Sequence, residues 1–211
     1  MKLVFKRVGA YIIDILIVSI ISALLSNIGS INYQLDKYVK TYEKIVSTTE
    51  KYENKEITEE EYTDKVESLT YTLDKNSTIT SIISIACLIG YFGIFQFSQN
   101  GRTVGKRVFK LQVKKYNEGN LNIGNYLLRV LILNNVLFNI VRLIFIYTMS
   151  KSLYMKSYGY LSNVQLIFQL LIIVSMFMSK ENRGIHDLIA GTKVIDLKAK
   201  DENVFDGEIV K

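Results

Sequence analysis

Apolar residues in this chain gather into four blocks, each long enough to cross a membrane. The blocks cover about residues 8–28, 78–98, 127–149 and 160–178, and charged stretches separate them. As a helix that rises 1.5 Å per residue, a block of about 20 residues spans the ~30 Å hydrocarbon layer of a bilayer. The sequence therefore predicts an all-α polytopic membrane protein, with four transmembrane helices in contact with the lipid bilayer.

A cleaved signal peptide is the alternative for the first block, because a basic start precedes an apolar middle. Two features argue against cleavage: the apolar stretch is longer than the apolar core of a usual signal peptide, and Asp14 interrupts it. No clear small-x-small cleavage site precedes Asn27. We therefore expect this block to remain as a membrane helix.

Proline is absent from the sequence, so no predicted helix carries a proline kink.

Lysine and arginine residues predict which side of the membrane each segment faces. Lys2, Lys6 and Arg7 precede the first block, and the stretch between the second and third blocks is also strongly basic. Residues 30–77 instead carry seven lysines against eleven aspartates and glutamates. We therefore predict a multi-pass protein of the cell membrane with both termini in the cytoplasm. The net charge of +6 fits this topology and contact with anionic lipid, and it indicates no nucleic-acid partner.

The acidic segment 30–77 predicts a helical hairpin on the extracytoplasmic side, between the first two spans. Apolar residues recur at helical spacing on both sides of a polar break near Glu53. Thr58 and Glu61 have the spacing of a capping box, which marks the start of the second helix. The hairpin either stabilises the membrane helices or offers a platform to a partner. We treat residues 1–198 as one membrane domain, followed by a polar cytoplasmic tail at 199–211.

Asp14 is the most unusual residue of the first block. A carboxylate in a lipid-facing helix costs about 2.5 to 3.5 kcal/mol, so such residues usually face a protein interior or a water-filled cavity. Arg7 lies seven residues earlier on the same helical face, close to two full turns away. A water molecule or a third side chain could join the two. Asp14 then either holds helices together as part of a buried ion pair or is a functional group.

A polar stripe in the third block gives a second candidate partner for Asp14. Asn135, Asn139 and Arg142 share one helix face through steps of four and three residues. Such a stripe favours contact with other helices over contact with lipid. Arg142 is therefore either a partner of Asp14 or a side chain that reaches the outer membrane interface.

A glycine-rich basic stretch follows the second block and contains Gly101, Arg102, Gly105, Lys106 and Arg107. It is not a phosphate-binding P-loop, because the glycine spacing is one residue short and no serine or threonine follows the lysine. We therefore expect no nucleotide or other cofactor here.

A second cytoplasmic stretch, near the end of the chain, contains Gly184, His186, Asp187, Gly191 and Thr192. His186 is the chain's one histidine, so neither a second histidine nor a suitably placed cysteine completes a metal site or a catalytic triad. We therefore predict no metal and no enzymatic activity.

Together these pieces resemble the RDD family of bacterial membrane proteins, which is named for one arginine and two aspartates. The matching pieces are the R-x6-D spacing of Arg7 and Asp14, N-G-R-T-V-G-K-R-V-F-K-L-Q-V after the second block, and the closing R-G-I-H-D-L-I-A-G-T-K-V. The resemblance covers about residues 3–196 and implies that Asp187 is the second aspartate. The hairpin at 30–77 is longer than the family's usual loop.

The resemblance implies transport of ions or small solutes, with sodium/proton exchange reported for some family members. We therefore expect cation/proton exchange, with monovalent cations and protons as partners and Asp14 as the exchanging group. Arg7 would set the charge balance and Asp187 would organise the inner mouth. The alternative is a non-transporting scaffold or regulator that binds another membrane protein. Four spans are few for alternating access, so a homo-oligomer is also expected.

Overall fold

The computed structural model of the protein describes residues 2–198, so the predicted tail at 199–211 lies outside the described residues. The chain divides into two compact units. The first contains the described residues of Met1–Ile20, Ala86–Leu137 and Gln165–Lys211, and the second contains Ile21–Ile85 and Phe138–Val164. The elements in chain order are α1 (Leu3–Ser26), α2 (Leu35–Glu53), α3 (Glu59–Asn76), α4 (Thr78–Ser98), α5 (Val104–Val108), β1 (Leu111–Lys115), α6 (Ile123–Leu133), α7 (Val136–Thr148), α8 (Lys151–Met178), α9 (Ile185–Ile189) and β2 (Thr192–Asp196).

Helices α1, α4 and α8 are each long and apolar enough to cross a membrane. Helices α6 and α7 pass the same test together, which gives three or four candidate spans within residues 2–198. The prediction of a mainly helical, polytopic membrane protein is therefore confirmed. The second predicted span, 78–98, coincides with α4, whereas α8 begins at Lys151, earlier than the predicted boundary near residue 160.

The third predicted span is not one straight helix. Its two halves, α6 and α7, are bent by 67° at a break between them. At the break Asn135 has a φ of +56°, the left-handed conformation that asparagine adopts more readily than most residues. The predicted polar face is therefore interrupted, because Asn135 lies at the break while Asn139 and Arg142 lie on α7.

Helix α4 changes its winding partway along its length. Ile89–Phe95 is π-helical, between α-helical turns at Thr78–Leu88 and Gln96–Ser98. Such segments are rare and are frequently found at functional sites. The segment carries Tyr91, which contacts the candidate site described below.

The first unit contains a two-stranded antiparallel sheet that the all-α prediction missed. Strands β1 and β2 pair with Val113 opposite Val194. Leu111 and Val113 are fully buried and pack in a small core with Ala10. Gly101 adopts a φ of +83°, and a Cβ there would lie 2.4 Å from the Val113 carbonyl oxygen. Glycine therefore lets the preceding turn lie directly against β1.

The second unit contains the predicted helical hairpin, formed by α2 and α3. The capping box at the start of α3 is confirmed: Glu61 N donates to Thr58 Oγ1 at 3.2 Å, and Thr58 N donates to Glu61 Oε2 at 3.1 Å. The rings of Tyr52 and Tyr62 stack at 4.5 Å between centroids, which joins the two helices near their connecting turn. That the hairpin lies outside the membrane stays a prediction.

Candidate functional site

Asp14, on α1, is fully buried within the first unit. Its Oδ1 accepts hydrogen bonds from the Tyr91 hydroxyl and the Gly105 amide, each at 2.7 Å. Its Oδ2 accepts one from Thr103 Oγ1 at 2.5 Å. The Lys106 ammonium lies 3.8 Å from Oδ2, beyond hydrogen-bond distance. Asp14 is therefore held by three neutral donors, with a positive charge somewhat further away.

The short helix α5 brings these groups to Asp14. Thr103 caps the helix, since its Oγ1 accepts from Lys106 N at 3.3 Å. A Cβ at Gly105 would lie 2.1 Å from the Ala10 carbonyl oxygen, so only glycine lets α5 approach α1 this closely. The predicted motif residue Gly105 is therefore the one that places a backbone amide on the carboxylate.

Lys106 is almost completely buried beside Asp14. Its ammonium also donates to Thr103 Oγ1 at 3.3 Å and lies 5.6 Å from the centroid of the Phe92 ring. Burial lowers the pKa of Lys106 from 10.5 to about 8, because the charge of Asp14 offsets only part of the desolvation and Arg129 adds like-charge repulsion. Lys106 is thus a buried cation that can lose its proton near neutral pH.

Asp187, on α9, is the second fully buried carboxylate of the first unit. Arg7 donates to its Oδ2 and Arg129 donates to its Oδ1. The Gly184 amide also donates to Oδ2, and Thr192 Oγ1 donates to Oδ1, each at 3.2 Å. Asp187 is therefore shared between two arginines and two neutral donors.

The two arginines keep Asp187 ionised. Burial by itself would raise the pKa of Asp187, but the charges of Arg129 and Arg7 outweigh burial and hold this pKa well below its ordinary value. Arg7 also donates to the Asn182 carbonyl oxygen. Arg7 therefore forms its direct ion pair with Asp187 and not with Asp14.

His186, next to Asp187 on α9, is buried and neutral. Its Nε2 lies 3.1 Å from an Arg7 guanidinium nitrogen, which can only donate, so the ring proton is assigned to Nδ1. Nδ1 has no hydrogen-bond partner in the part of the chain that the structure describes. Burial lowers the pKa of His186 to about 3, with the charges of Arg129 and Arg7 adding to the effect and Asp187 opposing it.

A cavity of about 260 Å³ lies against this cluster. Arg7, Lys106, Arg129 and His186 form part of its wall. The rest of the wall is mostly apolar and includes Val8, Ala10, Tyr11, Leu111, Leu133, Gln169, Ile173, Met176 and Val194. The cavity is thus a largely apolar space with several basic groups in its wall.

The remaining residues predicted from the two glycine-containing stretches also lie in the first unit. Arg107 is exposed and donates to Gln99 Oε1. Arg102 is partly buried, and its Nε has no partner among the described residues. Gly191 forms the turn before β2 with a φ of +63°, which places Thr192 against Asp187.

Arg142 belongs to a different cluster, within the second unit. Its charge acts on Asp74, whose carboxylate also accepts a hydrogen bond from the Tyr154 hydroxyl at 2.9 Å. Burial raises the pKa of Asp74, and Arg142 opposes this rise. That Arg142 is a partner of Asp14 stays a prediction. Asn139, on the same helix, is partly buried.

Sequence reasoning did not identify Arg129, Tyr91 or Thr103 as site residues. Arg129 lies in the apolar run Y-L-L-R-V-L-I-L, and an arginine inside such a run is itself a signal of a buried functional group. Tyr91 and Thr103 carry no comparable signal. They reach Asp14 only through the π-helical turn of α4 and the cap of α5.

Apolar helices long enough to cross a bilayer, together with charges buried within one unit, define an integral, multi-pass membrane protein in contact with lipid. The chain belongs to the RDD family, whose family model matches residues 2–191. Searches of the curated proteins and of the solved structures gave no match.

Proposed function

We propose that this RDD-family protein exchanges a monovalent cation for a proton across the membrane, with Asp14 and Lys106 as the exchanging pair. The observation that supports the proposal is that Lys106 and Asp14 make no direct hydrogen bond. Lys106 stands 3.8 Å from the Asp14 carboxylate, on the wall of the cavity, whereas Arg7 bonds directly to Asp187. Lys106 is therefore a counterion that can be replaced without breaking a direct hydrogen bond to Asp14.

In the proposed exchange, the Lys106 ammonium and a metal cation are alternative counterions of Asp14. When a cation reaches the carboxylate, Lys106 releases its proton and moves away as a neutral amine. One positive charge arrives and one leaves, so the charge of the buried cluster does not change. With the pKa of Lys106 at about 8, releasing the proton at pH 7 costs about 1.4 kcal/mol.

The neighbouring groups have supporting roles in this proposal. Arg7, Arg129 and Asp187 tie α1, α6 and α9 together, so that Asp14 stays in place while its counterion changes. The break after α6 also fits transport, because discontinuous membrane helices often border ion paths. Buried polar atoms of Asn134 at this break have no partner in the described part of the chain.

The predicted topology is part of the proposal. We place the protein in the cell membrane with both termini in the cytoplasm and the hairpin of α2 and α3 outside. The exchange requires no cofactor and no enzymatic step.

Proton flux in vesicles tests the exchange. The purified full-length chain, reconstituted with a pH-sensitive dye inside, should acidify or alkalise the lumen when a sodium, potassium or lithium gradient is imposed. Lys106→Arg keeps the charge but cannot lose its proton, so we expect at least a tenfold loss of flux. Lys114→Arg, on an exposed position of β1, is the matched control and should keep normal flux. Absence of flux with every cation, or full flux in Lys106→Arg, would overturn the proposal.

A scaffold or regulator is the second candidate, and exposed side chains on α2 favour it. Val39, Tyr42 and Val46 recur at helical spacing and have exposed fractions of 43%, 54% and 39%. An apolar stripe of this kind is typical of a surface that packs against another helix. In this candidate role the protein shows no cation-driven proton flux, and changing all three residues to serine should abolish self-association measured by light scattering. Unchanged association would argue against this role for α2.

A further inference from the structure

We propose that the cavity of the first unit binds the phosphate group of an anionic membrane lipid. The binding does not depend on whether the protein transports ions. Arg7, Lys106 and Arg129 line the cavity, while Asp14 and Asp187 are the carboxylates paired with them. The cluster therefore has one positive charge in excess, and buried charges are stable only when they are paired.

His186 gives an independent indication of a ligand. It lines the cavity and is 1% exposed, yet its Nδ1 has no hydrogen-bond partner within residues 2–198. Buried donors are almost always satisfied, so an unpaired one requires an acceptor that the protein itself does not supply. A phosphate has several acceptor oxygens and a negative charge, so one group can meet both this donor and the excess of cations.

The walls distinguish a lipid from free phosphate. Leu133, Ile173 and Met176 are apolar, and free phosphate would leave them without a partner. Val8 and Ile173, with exposed fractions of 36% and 46%, lie on α1 and α8, the apolar helices that are candidate membrane spans. The cavity is therefore bordered by surface that meets lipid, so a headgroup can enter while its acyl chains stay in the bilayer.

The size of the cavity agrees with this occupant. Its volume of about 260 Å³ is slightly below the range of about 300–1,000 Å³ that holds drug-sized ligands, which suits a headgroup but not a whole lipid. A bound phosphate would also cancel the excess positive charge. A monovalent cation could then approach Asp14 without repulsion from the arginines.

Native mass spectrometry of the full-length chain in detergent tests the inference directly. We expect short-chain phosphatidylglycerol to bind at least tenfold more tightly than phosphatidylcholine of the same chain length. Lys106→Gln removes one cation from the wall and should weaken phosphatidylglycerol binding about tenfold, the loss expected for one charge-assisted contact. Equal binding of the two lipids would overturn the inference.

A matched pair of variants shows whether the lipid occupies the cavity. Ile173→Trp fills the cavity from its wall and should abolish the preference for phosphatidylglycerol. Ile167 lies on the same helix, is similarly exposed and is not part of the cavity wall. The variant Ile167→Trp should therefore keep the native preference for phosphatidylglycerol. An unchanged preference in Ile173→Trp would exclude this location.

Inorganic phosphate is the third arm of the experiment, and millimolar concentrations should not displace the lipid. Displacement at concentrations equal to those of the lipid would show that the site recognises free phosphate, and would overturn the lipid assignment. If the native protein shows normal cation-driven flux but no preference for phosphatidylglycerol, the lipid inference alone is refuted. Normal lipid preference with no flux would refute the exchange alone.

Discussion

The two buried carboxylates of the first unit are held in opposite ways. Asp187 bonds directly to Arg7 and Arg129 and also accepts from two neutral donors. Asp14 accepts from three neutral donors, and its nearest cation, Lys106, stays 3.8 Å away. Both side chains are fully buried, so burial does not account for the difference.

Under the proposed exchange, this difference separates a structural tie at Asp187 from an exchangeable site at Asp14. Two guanidinium groups on one carboxylate keep their charge at every accessible pH, so the Asp187 cluster is fixed. An ammonium with a pKa of about 8 can lose its charge, so the counterion of Asp14 can change. Neutral donors hold Asp14 in place whichever counterion is present.

The largest expected effect is the loss of stability in Asp187→Asn. This change leaves the buried charges of Arg7 and Arg129 without a carboxylate, which should cost about 3 to 5 kcal/mol. Asp14→Asn should cost less, about 2 kcal/mol, because Lys106 can become neutral when its partner is removed. Thermal unfolding of both variants in the same detergent gives the comparison. A larger loss in Asp14→Asn would reverse the roles assigned to the two sites.

A smaller effect is expected from removing one neutral donor at each site. Tyr91→Phe removes a 2.7 Å hydrogen bond to Asp14, which should cost about 2 kcal/mol because the acceptor is charged and has no direct cationic partner. Thr192→Val removes a 3.2 Å bond to Asp187, where two arginines remain, and should cost about 1 kcal/mol. Chemical unfolding of the two variants measures the difference, and equal losses would show that the two carboxylates depend equally on neutral donors.

The effect that is smallest at neutral pH is a change in how stability depends on pH. The pKa of His186 is about 3 in the folded protein against 6.5 ordinarily, so the unfolded chain alone binds this proton between those values. Stability should therefore fall as pH decreases below 6.5, by up to about 1.4 kcal/mol per pH unit.

The other groups around His186 do not titrate between pH 6.5 and 4.5. Lys106 stays protonated there because its pKa is about 8, and Asp187 stays ionised because its pKa is held well below its ordinary value. His186→Gln should therefore show a flatter profile than the native protein in this window. Profiles of equal slope would mean that His186 is already protonated in the folded state.

The sequence predicted correctly those helices that depend on a local pattern of residues. The apolar run at 78–98 predicted α4, and Thr58 with Glu61 predicted the start of α3. Both depend on residues that are near neighbours along the chain. The break at Asn135 was not predicted, because no proline marks it and the hydrophobic pattern continues through it.

The pairing within the site could not be read from the sequence. Helical spacing placed Arg7 and Asp14 on one face, but spacing within one helix says nothing about partners from elsewhere in the chain. Arg7 instead finds Asp187, 180 residues away. The strands β1 and β2 were missed for the same reason, since each has only five residues and pairs with a distant segment.

That separation of 180 residues has a consequence for how the protein is made. Synthesis runs from the first residue to the last, so α1 emerges from the ribosome long before α9 exists. Until α9 is made, the guanidinium groups of Arg7 and Arg129 cannot pair with the carboxylate of Asp187. A chain that stops before Gly184 lacks Asp187. The buried arginines Arg7 and Arg129 of such an incomplete product therefore have no carboxylate of Asp187 to pair with.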